Sequence, residues 1–184
     1  MSITSLKTGG TGLSLALDNN YMEPIATTLL SSTSNAVVFN DIPQTYKHLQ
    51  IRTSVAANNS SSSIKVILNS DTLSTNYKRH FIYGNGSGVA SSNGSSMYIN
   101  IVFLSGTANV FSAAVTDILD YTNTNKFKTL RMIGGHDNNG SGIVSLFSGN
   151  WRSTNAITSI KLYSGNGDNF AQYSSFALYG IKAS

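Results

Sequence analysis

The chain has 184 residues, no cysteine and a formal net charge of +4, with only 11% of its residues charged, against about 25% in an ordinary globular domain. That length suffices for one domain that folds without staples. The lack of cysteine excludes a disulfide framework, a thiolate metal site and a cysteine nucleophile. Ser, Thr, Asn and Gly stand in place of the missing charge, a neutral hydrogen-bonding surface suited to an extracellular or particle-surface protein. The twelve Lys and Arg are scattered, with Lys78-Arg79 the one adjacent pair. A nucleic-acid binder concentrates its cations to neutralise successive phosphates, so no nucleic-acid partner is expected. The opening MSITSLKTGGTG is not a signal peptide, and no window approaches the ~18 apolar residues of a membrane helix, so no membrane association is expected.

Residues 1–21 predict an extended N-terminal arm. A Gly-rich break, Thr8-Gly9-Gly10-Thr11-Gly12, precedes the alternating Leu13-Ser14-Leu15-Ala16-Leu17. A short strand alone cannot bury Leu13, Leu15 and Leu17, so they need a surface, either within the same domain or on a neighbouring subunit or the particle. Residues 22–184 then read as one β-domain, strand after strand. The predicted runs are Glu23–Leu30, Ala36–Asn40, His48–Ala56, Ile64–Asn69, Tyr77–Gly84, Met97–Leu104, Asn109–Tyr121, Lys126–Gly135, Gly142–Trp151, Ile157–Ser164 and Ser174–Lys182. Leu49, Ile51, Thr53 and Val55 share one face of their run, with Gln50, Arg52 and Ser54 on the other, the period of half-buried antiparallel strands. Asp120 to Phe127 suggests a short helical turn. Between the runs lie Gly/Asn/Ser stretches, among them Gly84–Gly88, Ser91–Ser96 and Asp137–Gly142, whose residues accept the positive φ of tight turns. Together these predict an all-β fold: an antiparallel β-sandwich, jelly-roll-like, with the extended arm in front.

Candidate chemistry is sparse. Asp117 and Asp120 are three residues apart on a predicted strand, which places them on opposite faces, whereas a glycosidase needs two carboxylates facing one cleft. His48, His80 and His136 have no metal-ligand spacing. Gly84-Asn85-Gly86-Ser87-Gly88 lacks the lysine and helix of a phosphate loop and reads as a hairpin turn. No catalytic residue, metal ligand or cofactor is expected, and the chain is not read as an enzyme. Aromatics near strand ends, Tyr83 and Trp151 among them, with His136, Asp137 and Asn166 in polar loops, supply the parts of a sugar platform; the same aromatics equally supply a core and a subunit interface.

Three stretches are similar to motifs of a family of small virion proteins from tailed bacteriophages, many of them marine and cyanobacterial. They are Val38-Phe39-Asn40-Asp41-Ile42-Pro43-Gln44-Thr45-Tyr46-Lys47-His48-Leu49-Gln50-Ile51-Arg52, then Asn76-Tyr77-Lys78-Arg79-His80-Phe81-Ile82-Tyr83-Gly84, then Phe176-Ala177-Leu178-Tyr179-Gly180-Ile181-Lys182. The resemblance covers most of the chain in matching order and brings no catalytic residues. It implies a virion structural protein on the particle exterior, made in the host cytoplasm, as a tail fibre or tail-appendage module; the Asn/Gly/Ser loops and aromatics add contact with host-surface glycans, and the small single domain with its arm suits a capsid decoration protein as the alternative. The expected partners are further copies of itself, as a trimer, other tail or capsid proteins, and host polysaccharide. Physically, Pro43 makes a rigid turn between two strands, flanked by Phe39 and Leu49 in the core, and the alternation of Phe176, Leu178 and Gly180 with Ala177, Tyr179 and Ile181 predicts a strand buried on both faces.

Overall fold

The computed structural model describes residues 21–59 and 62–182; the arm and its Leu13, Leu15 and Leu17 fall outside these. The described chain forms twelve strands: β1 (Met22–Leu29), β2 (Ala36–Phe39), β3 (His48–Val55), β4 (Ser62–Leu68), β5 (Tyr77–Gly84), β6 (Val89–Ser96), β7 (Ile99–Leu104), β8 (Ser112–Leu119), β9 (Lys128–Asp137), β10 (Gly142–Trp151), β11 (Ile160–Ser164) and β12 (Ser175–Ile181). They make an eight-stranded sheet in the order β1-β12-β3-β8-β9-β10-β5-β6 and a four-stranded sheet in the order β2-β11-β4-β7, with antiparallel pairing throughout. The predicted all-β sandwich is the observed architecture. The pairs β1/β2, β3/β4, β7/β8 and β11/β12 each place one strand in either sheet, while the hairpins β5–β6 and β9–β10 widen the larger sheet only.

Both sheets contribute to one core. Leu49, Ile51 and Val55 of β3 meet Val66 and Leu68 of β4, Ile99 and Ile101 of β7, and Phe176 and Leu178 of β12. Strand β7 lies close under β10 because Gly149 has no side chain: a Cβ there would lie 2.7 Å from the Ile99 side chain. The hairpin turn between β9 and β10 rests on Asn139 and Gly140, both at positive φ (61° and 95°), the geometry whose twist matches antiparallel strands.

The turn carrying Pro43 is fixed by its neighbours. A Cβ on Gly180 would lie 2.3 Å from the Tyr46 ring, so that ring lies flat on bare backbone of β12. The Tyr46 hydroxyl donates to Glu23 Oε2 at 3.0 Å, and Lys182 Nζ reaches Glu23 Oε1 at 2.5 Å. The lysine first, and the tyrosine second, hold the Glu23 carboxyl below its ordinary value. At the same end Asp120 sits at positive φ (47°) and takes Lys47 at 2.9 Å together with Lys126. These two ammonium groups, Lys126 first, bring its carboxyl down to about 2.

Four sequence expectations change. Val89–Ser96, most of it read as a turn, is a strand paired to β5 through eight consecutive residues; its Ser, Asn and Gly carry no alternation because neither face is well buried. Residues 120–127 form a turn closed by Asn123 N–H to the Asp120 carbonyl, with no helix. Strand β12 is fully buried on one face only, through Phe176, Leu178 and Gly180; the other is half-buried. Trp151 is 1% exposed, a core residue and not a surface platform.

Candidate assembly surface

The outward face of the eight-stranded sheet carries a contiguous group of exposed apolar side chains. An antiparallel sheet with one free face normally alternates apolar-in with polar-out. Strands β3 and β12 broadly follow that rule, but β9, β10 and β5 do not. Register places Val115, Ile133, Leu146 and Ile82 side by side in one row across β8, β9, β10 and β5. The next row holds Ala113, Gly135, Val144, Gly84 and Val89. Exposure is 58% at Ile133, 63% at Val144, 46% at Leu146, 46% at Ile82 and 74% at Val89. Contiguous exposed apolar side chains of this kind mark interaction sites.

A polar row bounds the apolar ones. Gln50, Asp117, Arg131, Ser148, His80 and Asn93 stand in register across the sheet. Arg131 pairs with Asp117 at 3.0 Å, Gln50 Nε2 donates to Asp117 at 2.9 Å, and Arg52 Nε donates to Gln50 at 2.9 Å. An apolar centre beside a satisfied polar rim is the anatomy of a protein–protein interface. Between the two kinds of row, His80, Ile82, Ser91, Leu146 and Ser148 line an open depression of about 390 Å³.

The sugar-contact candidates divide between places. His136 and Asn166 share a cleft of about 270 Å³ with Ser63, Phe103 and Ile143. His136 Nδ1 lies 3.2 Å from Ser112 Oγ and 3.3 Å from the Phe103 carbonyl, which fixes the ring. Asn166 is held at positive φ (57°) in a short 3-10 turn after β11. Tyr83 stands behind Phe103, ring edge to face at 5.6 Å between centroids. Asp137 caps the β9–β10 turn, accepting from Gly140 N–H at 3.1 Å, and borders a neighbouring depression with the Gly84–Gly86 loop. Trp151 sits at the far end of β10, ten residues long, or about 30 Å away. The structure thus brings His136 and Asn166 together, puts Tyr83 and Asp137 beside them, and removes Trp151.

On the outer side of the four-stranded sheet Lys65 Nζ lies 4.3 Å from the Tyr98 ring centre and Arg79 packs 5.6 Å from it. A hydrogen bond from Ser96 draws the Tyr98 hydroxyl below its ordinary value, reinforced by Lys65 and Arg79 and opposed by burial. Burial pushes Tyr163 up to about 12. With Phe103 against Phe81, these contacts fold β5 over the edge of β7. Among the described residues no three His, Asp or Glu side chains converge as a metal site.

The outward apolar rows were missed in the sequence, though it carries their signal. Ile143, Val144, Leu146 and Phe147 are apolar in both phases of one strand, and so are Met132 and Ile133. Such a strand needs cover on both faces. Comparison of the chain with protein-family models, with curated proteins and with solved structures gives no match.

Proposed function

We propose that this protein is a structural component of the exterior of a tailed-phage particle, a tail-fibre or tail-appendage module that acts by packing against copies of itself. The observation that carries this reading is the outward face of the eight-stranded sheet. Seven inter-strand spacings and strands of seven to ten residues give a face of about 34 by 25 Å, or roughly 850 Å². A standard stable interface takes about 800 Å² from each partner, so the face is large enough to seat one further copy. The domain is read as a jelly roll with two added hairpins, supported by the order β1-β12-β3-β8 facing β2-β11-β4-β7.

The cleft holding His136 and Asn166 is the place for contact with a host-surface sugar. It opens at the end of β9 on the side that faces Phe103 and Ser112, the opposite face from the apolar rows, so packing on those rows leaves it open. Imaging of purified particles is expected to show the chain in repeated symmetric copies at the tail. Density spread over the head lattice would move it to capsid decoration, and absence from the particle would refute both. A glycan array without hits would remove the sugar contact and leave the structural role standing.

A further inference from the structure

The two edges of the large sheet are treated differently. An uncovered strand edge exposes a row of N–H and C=O groups that pair with any suitable chain, and proteins block such edges with charge, proline or a bulge. Edge strand β1 has all three: Glu23, Pro24, and a register break between Pro24 and Ala26. Edge strand β6 has none. Val89-Ala90-Ser91-Ser92-Asn93-Gly94-Ser95-Ser96 carries no charge and no proline, pairs with β5 in unbroken register, and among the described residues has no strand paired on its far side. In the smaller sheet β2 is only four residues long, and the β7 edge lies against β5 through Phe103, Phe81 and Tyr83. Among the described residues β6 is therefore the one long edge left open.

We propose that residues 13–17 of one copy add as a ninth strand to the free β6 edge of a neighbouring copy. This rests on the self-assembly reading above and adds a second, weaker contact to the packing of the sheet faces. The segment Leu13-Ser14-Leu15-Ala16-Leu17 has the period-two pattern that an added strand requires, with three leucines on one side. Placed beside β6 with the leucines outward, it extends the apolar rows from Ile82 and Val89 outward beyond the small Ser91. Main-chain pairing supplies the affinity, and the apolar rows fix which way the strand faces.

Geometry makes the contact intermolecular. The arm leaves the body at Tyr21, whose carbonyl accepts from Lys182 N–H on the β1 side of the sheet. A ninth-strand position beside β6 lies eight spacings from β1, about 38 Å. Leu17 is four residues before Tyr21 and reaches at most about 14 Å; Leu13 is eight residues before it and reaches about 28 Å. Neither spans its own sheet, so the strand that fills the edge comes from another copy. Arm-to-edge contacts join unlike surfaces, and such heterologous contacts close into a ring or run on as a chain.

Because the chain has no cysteine, the test is direct. Full-length Leu15→Cys protein is mixed, in turn, with full-length Ser91→Cys, Ser92→Cys or Asn93→Cys protein and oxidised. Thr27→Cys on the blocked β1 edge is the control. At least one β6 position is expected to give mixed disulfide dimers in more than tenfold excess over the Thr27 control. Oligomers by light scattering together with β6 cross-links no stronger than the control would overturn the edge pairing and leave self-assembly intact. A monomer at every concentration would overturn both.

Discussion

Replacing Trp151 with alanine is expected to destabilise the fold by about 5 kcal/mol, the upper part of the range for removing a buried tryptophan. The ring is the largest of the fully buried side chains and is packed in the common core. It also does a second thing. Its indole N–H donates to Asp71 Oδ2 at 2.7 Å, and Asp71 accepts from Asn76 Nδ2 at 2.8 Å and from Leu73 N–H at 2.9 Å. Burial pushes the Asp71 carboxyl up, but these three donors together bring it below its ordinary value. The same loop holds the Tyr77 hydroxyl, which donates to the Asp71 carbonyl at 2.9 Å. Trp151 thus ties the end of β10 to the connection between β4 and β5. Trp151→Phe separates the two contributions: it keeps most of the volume and loses the N–H, and is expected to cost only about 1–3 kcal/mol. Urea unfolding of both variants measures the difference. Equal losses would mean that the hydrogen bond, not the packing, dominates.

Lys128→Met is expected to cost about 3 kcal/mol, a large effect for a change that keeps the side-chain length. Lys128 is fully buried, yet among the described residues no carboxylate pairs with it. Its ammonium donates to three backbone carbonyls, those of Asn123 at 2.6 Å, Lys126 at 3.1 Å and Thr154 at 3.1 Å. Burial, aided by the charge of Lys126, lowers its pKa. The group acts as a fixed cation that gathers the 121–127 loop and the loop after β10. Hydrogen bonds to a charged donor contribute about 1.5–3 kcal/mol each, and an unpaired buried carbonyl costs about 1–3 kcal/mol. The desolvation of the ammonium offsets part of this sum, which is why the expected loss is well below the total. Chemical denaturation of the methionine variant is the check. A change under about 1 kcal/mol would show that the three carbonyls find other partners, water included.

How far the sequence could be read depended on burial. Strands β3, β4 and β7 announce themselves because one or both faces are sealed, so their apolar residues fall into register with the backbone. Strand β6 does not, because nothing covers it and its composition is that of a turn; only pairing with β5 makes it a strand. Tyr46 and Gly180 lie far apart in the sequence, and the fold brings them into contact, ring on bare backbone. That contact needs the three-dimensional register of β12 and has no local signature. The outward apolar rows are different. Ile133, Val144 and Leu146 were legible as apolar, but which face is covered depends on the second sheet, and four strands cannot cover eight. Among the sugar candidates, His136 and Asn166 meet because β9 and the turn after β11 end side by side, while Trp151 carried the right chemistry at the wrong end of its strand.

The role of the outward sheet face is decided by sedimentation of the full-length chain beside the Ile133→Asp/Leu146→Asp double variant. Both side chains point away from the core, so the variant is expected to keep the unfolding midpoint of the parent within a small margin. The parent is expected to sediment as a defined oligomer at micromolar concentration and the variant as a folded monomer. A parent that stays monomeric, or a variant that associates as strongly as the parent, would contradict the assignment of this face to assembly.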